Sequence, residues 1–185
     1  VRSSAASDVY KRQSQGLVMR LISPGQFIMG TPRRSQGRQS NESERLIEIT
    51  RPFYVGTREV INNEFRAFNP KHTSGAESYR ELSNGFHPTV MVTWEEAAKF
   101  CNWLSEKESL NPAYRLVDGK LKLITPITNG YRLLTEAEWE WVARYNGGGG
   151  KQKYPWGESM PPEENSGNYA DESAESLMTL SLIHI

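Results

Sequence analysis

The residues able to do chemistry are few, and their spacing argues against most of it. Cys101 is the single thiol in the chain of 185 residues. A nucleophilic cysteine needs a partner base and an electropositive, accessible setting; Cys101 falls on the apolar stripe of a helix pattern and reads as a small core residue. One thiol also excludes an internal disulfide and a cysteine-rich zinc site. His72, His87 and His184 share no metal-ligand spacing with one another or with carboxylates, so no zinc or iron triad is expected. Glu136, Glu138 and Glu140 could be imagined as acid–base pairs, but carboxylates at a helix start account for them. Gly147 to Gly150 followed by Lys151 mimics a phosphate loop in the wrong order. The glycines follow a helix pattern instead of opening one, and Gln152 stands where Ser or Thr would bind magnesium.

Bulk properties narrow the classes further. Hydrophobic residues make up 37% and charged residues 24%, with a formal net charge of zero. That balance predicts no generic affinity for nucleic acid or an acidic membrane. No apolar run approaches the roughly 20 residues that span a bilayer, so no membrane insertion is expected. The length suits one domain with a substantial core.

Two helices have well-specified starts. In Thr135-Glu136-Ala137-Glu138-Trp139, Thr135 is the predicted N-cap and Glu138, three residues on, completes a capping box, with Leu134 and Trp139 as a hydrophobic staple. Trp139, Val142 and Ala143 share the face expected to be buried. Thr93 and Glu96 form a second box, with Val92 and Ala97 as staple; Trp94, Ala97, Ala98, Cys101 and Leu104 then follow a helical period. A third helix runs through Phe65 and Phe68. Ile61 at its start has no side-chain oxygen to act as a cap, and Asn62 is expected to take the cap one residue later.

Strands are shorter. Leu17 to Leu21 and Gln26 to Met29 read as a hairpin turned by Ser23-Pro24-Gly25. Leu46 to Ile49 and Phe53 to Thr57 read as strands around Arg51-Pro52, and Asp118-Gly119 marks a type I′ hairpin over Leu116 to Leu123. Thr31 to Arg45 and Lys71 to Phe86 read as loops. Helices set among short strands and long connections predict an α+β fold and not alternating βαβ units.

Several of these stretches, in order, resemble the sulfatase-modifying factor family, whose best-known members are formylglycine-generating enzymes. Arg132-Leu133-Leu134-Thr135-Glu136-Ala137-Glu138-Trp139-Glu140 is similar to the family signature, with Leu134 where Pro is usual. Phe27-Ile28-Met29-Gly30, Glu59-Val60-Ile61-Asn62, Val92 to Leu104, Tyr154-Pro155-Trp156-Gly157 and Asn168-Tyr169-Ala170-Asp171 resemble further family landmarks. The resemblance covers about Leu17 to Leu177. It implies an irregular α+β single domain related to the C-type lectin fold and truncated at its C-terminal side. Trp94, Trp103, Trp139 and Trp156 are then expected in or near the core.

For function, the resemblance implies an oxygen- and copper-dependent oxidase that converts a sulfatase cysteine to formylglycine. Its catalytic cysteine pair is absent from this chain, Cys101 matching a helix cysteine, so no catalytic residue is assigned. A non-catalytic domain binding a protein or ligand within a larger signalling protein is the alternative. The resemblance also implies structural calcium at Asp171 and the Glu172 carbonyl, a hard-cation donor set; an exposed acidic loop is the competing reading. A sulfatase-type protein is the implied partner, and no compartment or oligomeric state is implied. Residues 1–13 and 181–185 resemble translated sequencing-adapter sequence from environmental reads. They are set aside as a non-native leader and tail, leaving 14–180 as the domain.

Overall fold

The computed structural model describes residues 10–12, 16–35, 37–77, 80–145 and 150–158. The chain divides into two compact units, Val1–Trp139 and Glu140–Ile185, each treated by itself. In chain order the elements are β1 (Tyr10–Arg12), β2 (Val18–Ile22), β3 (Gly25–Met29), β4 (Arg45–Ile49), β5 (Phe53–Gly56), α1 (Asn62–Phe68), a 3-10 turn (Arg80–Ser83), α2 (Trp94–Lys107), β6 (Tyr114–Val117), β7 (Lys120–Leu123) and α3 (Glu136–Arg144). The composition is α+β, as the sequence predicts. β1 lies within the stretch set aside as a leader, and its backbone pairs antiparallel with β2.

The hairpin expected between β2 and β3 does not form. β2 pairs with β5 (Ile22 opposite Phe53), whereas β3 pairs with β4 (Gly25 opposite Ile49). The four strands are two arms of one long antiparallel ribbon that bends at its middle. Ser23 and Pro24 interrupt the outgoing arm, while Thr50, Arg51 and Pro52 interrupt the returning one. Two residues therefore face three, the count of a β-bulge. Both prolines lack the N–H that a continuous ladder requires, which places the break there. Along β3 the alternation is clean, with Phe27 and Met29 buried and Ile28 exposed. Gly30 ends that arm at φ +94°, and a Cβ there would sit 2.5 Å from the Ser43 carbonyl oxygen, so the ribbon tip requires glycine.

The ribbon leads into two small clusters of buried side chains. Leu17, Phe65, Phe100 and Leu104 form one; Ala98, Cys101, Ala113 and Tyr114 form the other, and Tyr131 packs against both. Phe65, Phe68, Phe100 and Trp103 are linked by ring contacts with centroids 5.3–6.0 Å apart. Helix α2 is the hinge of this packing, burying Ala98, Phe100, Cys101, Leu104 and Ser105. Its Asn102 ties down the first strand of the Asp-Gly hairpin: Oδ1 accepts from the Ala113 and Tyr114 N–H groups, and Nδ2 donates to the Tyr114 carbonyl. The hairpin itself is as expected, with Asp118 and Gly119 at φ 51° and 74°.

Asn62 does not cap α1. Ile61 holds the N-cap position without a side-chain bond, and Asn62 is fully buried. Its Nδ2 donates to the Leu82 and Asn84 carbonyls at 2.8 Å, while Oδ1 accepts from the Ser74 hydroxyl. The amide is committed to fastening the 70–90 loop, and the free Ile61 N–H at the helix start is taken by Glu64 Oε2 at 3.0 Å.

Two of the four tryptophans depart from expectation. Trp103 packs against the first cluster and Trp156 is half-buried, but Trp94 is 52% exposed and Trp139 61% exposed. Trp94 continues the stripe of Ala98 and Cys101, and Tyr114 meets it edge to face at 5.5 Å. Val142 is likewise exposed and Ala143 only half-buried, so the stripe of α3 is not covered by the described residues.

Candidate functional site

The α3 start is built as its sequence predicts and then reinforced. The Thr135 N–H donates to Glu138 Oε2 at 2.9 Å and the Glu138 N–H to Thr135 Oγ1 at 3.2 Å, completing the box. Arg132 adds a bidentate pair, Nη1 to Glu138 Oε2 at 2.6 Å and Nη2 to Oε1 at 2.5 Å. Both side chains are mostly shielded, 14% and 12% exposed. Burial works against the Glu138 charge, but the hydrogen bonds from Arg132 and Thr135 outweigh it and hold the carboxyl below its ordinary range.

The same device recurs at α1. Arg58 grips Glu64 through both nitrogens, at 3.0 and 2.6 Å, while Glu64 Oε2 also accepts from the Ile61 N–H. Arginine three residues before the cap and glutamate three after it thus occur twice. At α1 the glutamate does its half of the box although Ile61 has no oxygen to return the favour. At α2 the Thr93–Glu96 box stands alone: the Thr93 N–H and Oγ1 donate to Glu96 Oε2, and the Glu96 N–H donates to Thr93 Oγ1 at 3.2 Å.

Glu138 fixes the sign of an acid effect. Its folded carboxyl titrates below the unfolded one, so its contribution to stability is complete above the ordinary glutamate range and is lost as pH falls through the folded value. Glu96, held down first by the Thr93 backbone N–H, acts in the same direction. Urea unfolding between pH 6 and 3 should show stability falling more steeply for the native chain than for Glu138→Gln. Parallel slopes would contradict the assignment.

A cleft of about 860 Å³ adjoins this corner. One wall is the returning ribbon arm, Ile47 to Tyr54; the other is Thr125 to Arg132 followed by Leu134, Thr135, Ala137 and Glu138. Segment 128–131 is pinned to the end of α2. The Tyr131 N–H donates to Ser105 Oγ, the Asn111 N–H to Asn129 Oδ1, and a Cβ on Gly130 would collide with the Asn111 carbonyl. The Leu133 N–H donates to the Tyr114 hydroxyl, so the ring beside Trp94 also braces the approach to α3. The Tyr131 hydroxyl is enclosed and has no hydrogen-bond partner among the described residues; burial raises its pKa.

Of the residues singled out by sequence, the structure gathers Arg132, Thr135 and Glu138 at the cleft rim and keeps Thr93 and Glu96 at the head of α2. In the second unit, Trp156 stacks on Tyr154 at 4.9 Å, and Gly157, at φ 130°, exchanges two backbone bonds with Tyr154. Asp171 and Glu172, the implied calcium donors, lie outside the described residues, as do Asn168 to Ala170 and most of the glycine run. Among the described residues no three of His, Cys, Asp and Glu converge as metal ligands, and no helix is long and apolar enough to cross a membrane.

Copper does not fit the residues described. Cys101 is the single thiol, it is buried, and no cluster of His, Cys, Asp or Glu joins it among the described residues; burial pushes the free thiol up to about 12, against a smaller downward pull from Arg132, so it is a poor nucleophile near neutrality. Ellman's reagent at pH 8 should leave the native thiol unreacted and titrate one thiol after denaturation. Rapid reaction of the native chain would restore Cys101 as a chemical candidate.

Comparison with known proteins agrees with this construction. A curated relative, the chaperone protein LppX of Paenibacillus barcinonensis, is 31% identical over 140 residues, covering 68% of this chain and 47% of the relative. The formylglycine-generating enzyme of Mus musculus is 30% identical over 95 residues, 51% of this chain and 18% of the enzyme. The chain thus spans about half the length of the first relative and under a fifth of the second. Among solved structures, Treponema denticola variable protein 1 superposes with a TM-score of 0.65 at 24% identity, over 84% of this chain and 62% of that one. PvdO from Pseudomonas aeruginosa gives 0.54 at 21% identity, over 78% and 54%. These neighbours share the irregular α+β fold of formylglycine-generating-type proteins. The sulfatase-modifying factor enzyme 1-like domain matches residues 5–179, and the chain belongs to that family.

Proposed function

We propose that this chain is the scaffold portion of a formylglycine-generating enzyme-like protein. In that reading the parent protein is an oxygen- and copper-dependent oxidase that converts a cysteine of a sulfatase-type protein to formylglycine. The catalytic cysteine pair lies outside this chain. The observation that supports the reading is the family match over residues 5–179, in a chain whose one thiol, Cys101, is a buried core residue. Structural calcium at Asp171 and the Glu172 carbonyl belongs to the same proposal.

The direct test supplies copper, dioxygen and a cysteine-containing sulfatase peptide and follows peptide mass. This chain alone should leave the cysteine intact, and a longer protein containing both this chain and the cysteine pair should convert it to the aldehyde. If that longer protein has the pair and leaves the peptide unchanged, the oxidase reading fails.

The alternative, a non-catalytic binding domain on the same scaffold, is favoured by one observation. The cleft beside the α3 start is lined by apolar side chains together with hydroxyls and charged groups of both signs, and by no cysteine or histidine. The chaperone named among the relatives is compatible with it, but fold alone decides neither reading.

A further inference from the structure

We propose that the returning arm of the ribbon is a docking edge for an extended polypeptide segment bearing one acidic and one basic residue about three positions apart. Among the described residues β4 pairs only with β3, and β5 only with β2, so one edge of this arm is unpaired. Every residue from Ile47 to Tyr54 lines the cleft. Successive side chains in a strand point to opposite faces, so a concavity touched by all of them views the strand along its edge. The facing wall, Thr125 to Arg132, is also an unbroken run. A slot between two lengths of main chain, one with unpaired N–H and C=O groups, fits another backbone in extended form.

The charges give the occupant its chemistry. Glu48 and Arg51 are exposed and have no ion pair or side-chain hydrogen bond among the described residues. Glu48 lies on β4 and Arg51 in the bulge three residues on, so a ligand running alongside meets the two charges at positions about three residues apart. The other charged pair at the cleft, Arg132 and Glu138, neutralises itself and leaves those two side chains to select. Pro52 offers no N–H, so pairing is confined to about Ile47 through Thr50, with Arg51 swung out by the bulge to meet the ligand's acid. Charge, proline and bulge on an edge are also the devices that discourage pairing, and the experiment separates the two uses. The inference does not depend on the oxidase reading and is measured without it.

The test titrates the full chain with two acetylated, amidated hexapeptides, Lys-Val-Thr-Asp-Val-Thr and Asp-Val-Thr-Lys-Val-Thr, so that either strand direction is sampled. One of them should bind in calorimetry and slow hydrogen exchange at least tenfold at those amides of residues 47–50 that point away from β3. N-methylation of alternate peptide amides should weaken binding at least tenfold, and Glu48→Ser with Arg51→Ser should weaken it several-fold without lowering Tm. The proposal is overturned if neither peptide binds or if binding survives N-methylation. It is equally overturned if the amides of 47–50 that point away from β3 are already protected in the free chain, which would mean that the chain covers its own edge.

Discussion

Arg132→Ala is expected to destabilise the chain by about 2–4 kcal/mol, because it leaves a shielded carboxylate without its main counter-charge. Glu138 would keep only the Thr135 N–H and its own helix start. For a chain of this size the loss corresponds to a Tm lower by roughly 10 °C. Arg132→Lys should recover only part of it, since an ammonium supplies one point contact where the guanidinium makes two parallel bonds at 2.6 and 2.5 Å. A double-mutant cycle with Glu138→Gln isolates the pair, and a coupling below about 0.5 kcal/mol would show that the ion pair is incidental. Thr135→Ala, which removes the hydroxyl alone, should cost nearer 1 kcal/mol. The ordering of the three variants is as informative as any single value.

Asn62→Ala carries the second large effect, a loss of about 3 kcal/mol. The substitution leaves the Leu82 and Asn84 carbonyls without their amide donor, at a fully buried side-chain position, and takes from the Ser74 hydroxyl its Asn62 acceptor while His72 Nε2 and the Val90 N–H remain. Ser74→Ala provides the contrast: it removes the hydroxyl shared by Asn62 Oδ1, the Val90 N–H and His72 Nε2 while Asn62 keeps both carbonyls, so a smaller loss of about 1–2 kcal/mol is expected. Denaturant unfolding measures both. Equal losses for the two variants would mean that the amide is not the fastener of the 70–90 loop.

Neither site was fully legible in the sequence, and the reasons differ. The boxes at Thr93 and Thr135 are local, spanning three residues of one chain direction, and they form as written. The arginines that complete the ion pairs were also within reach. A signal existed in Arg58 and Arg132 standing three residues before a cap, but it becomes persuasive only when seen twice. Asn62 was misread because its amide suits a cap as well as a buried cross-link, and the deciding partners lie about twenty residues downstream. The same limit defeated the first hairpin. Ser23-Pro24-Gly25 has good turn chemistry, whereas the competing partners in β4 and β5 become visible only through tertiary pairing.

Helical period named the correct stripe on α2 but not how far it is covered. Ala98, Cys101 and Leu104 are buried, yet the stripe continues to Trp94, which meets Tyr114 at the start of the hairpin and stays half exposed. Trp139 repeats the lesson on α3. A moment of hydrophobicity records direction around an axis and says nothing about the length of the neighbour lying along it.

The bent ribbon also sets an order of assembly. If the inner arms join first, bringing Phe27 opposite Ile47, the outer arms need to close across only the two residues 23–24 and the three residues 50–52. Without that nucleus, Ile22 must find Phe53 over the whole intervening excursion, at an added entropic cost of roughly 1–2 kcal/mol. Zipping from the tip outward is therefore the cheaper route, and the two prolines mark where the zipper pauses before it resumes in a new register.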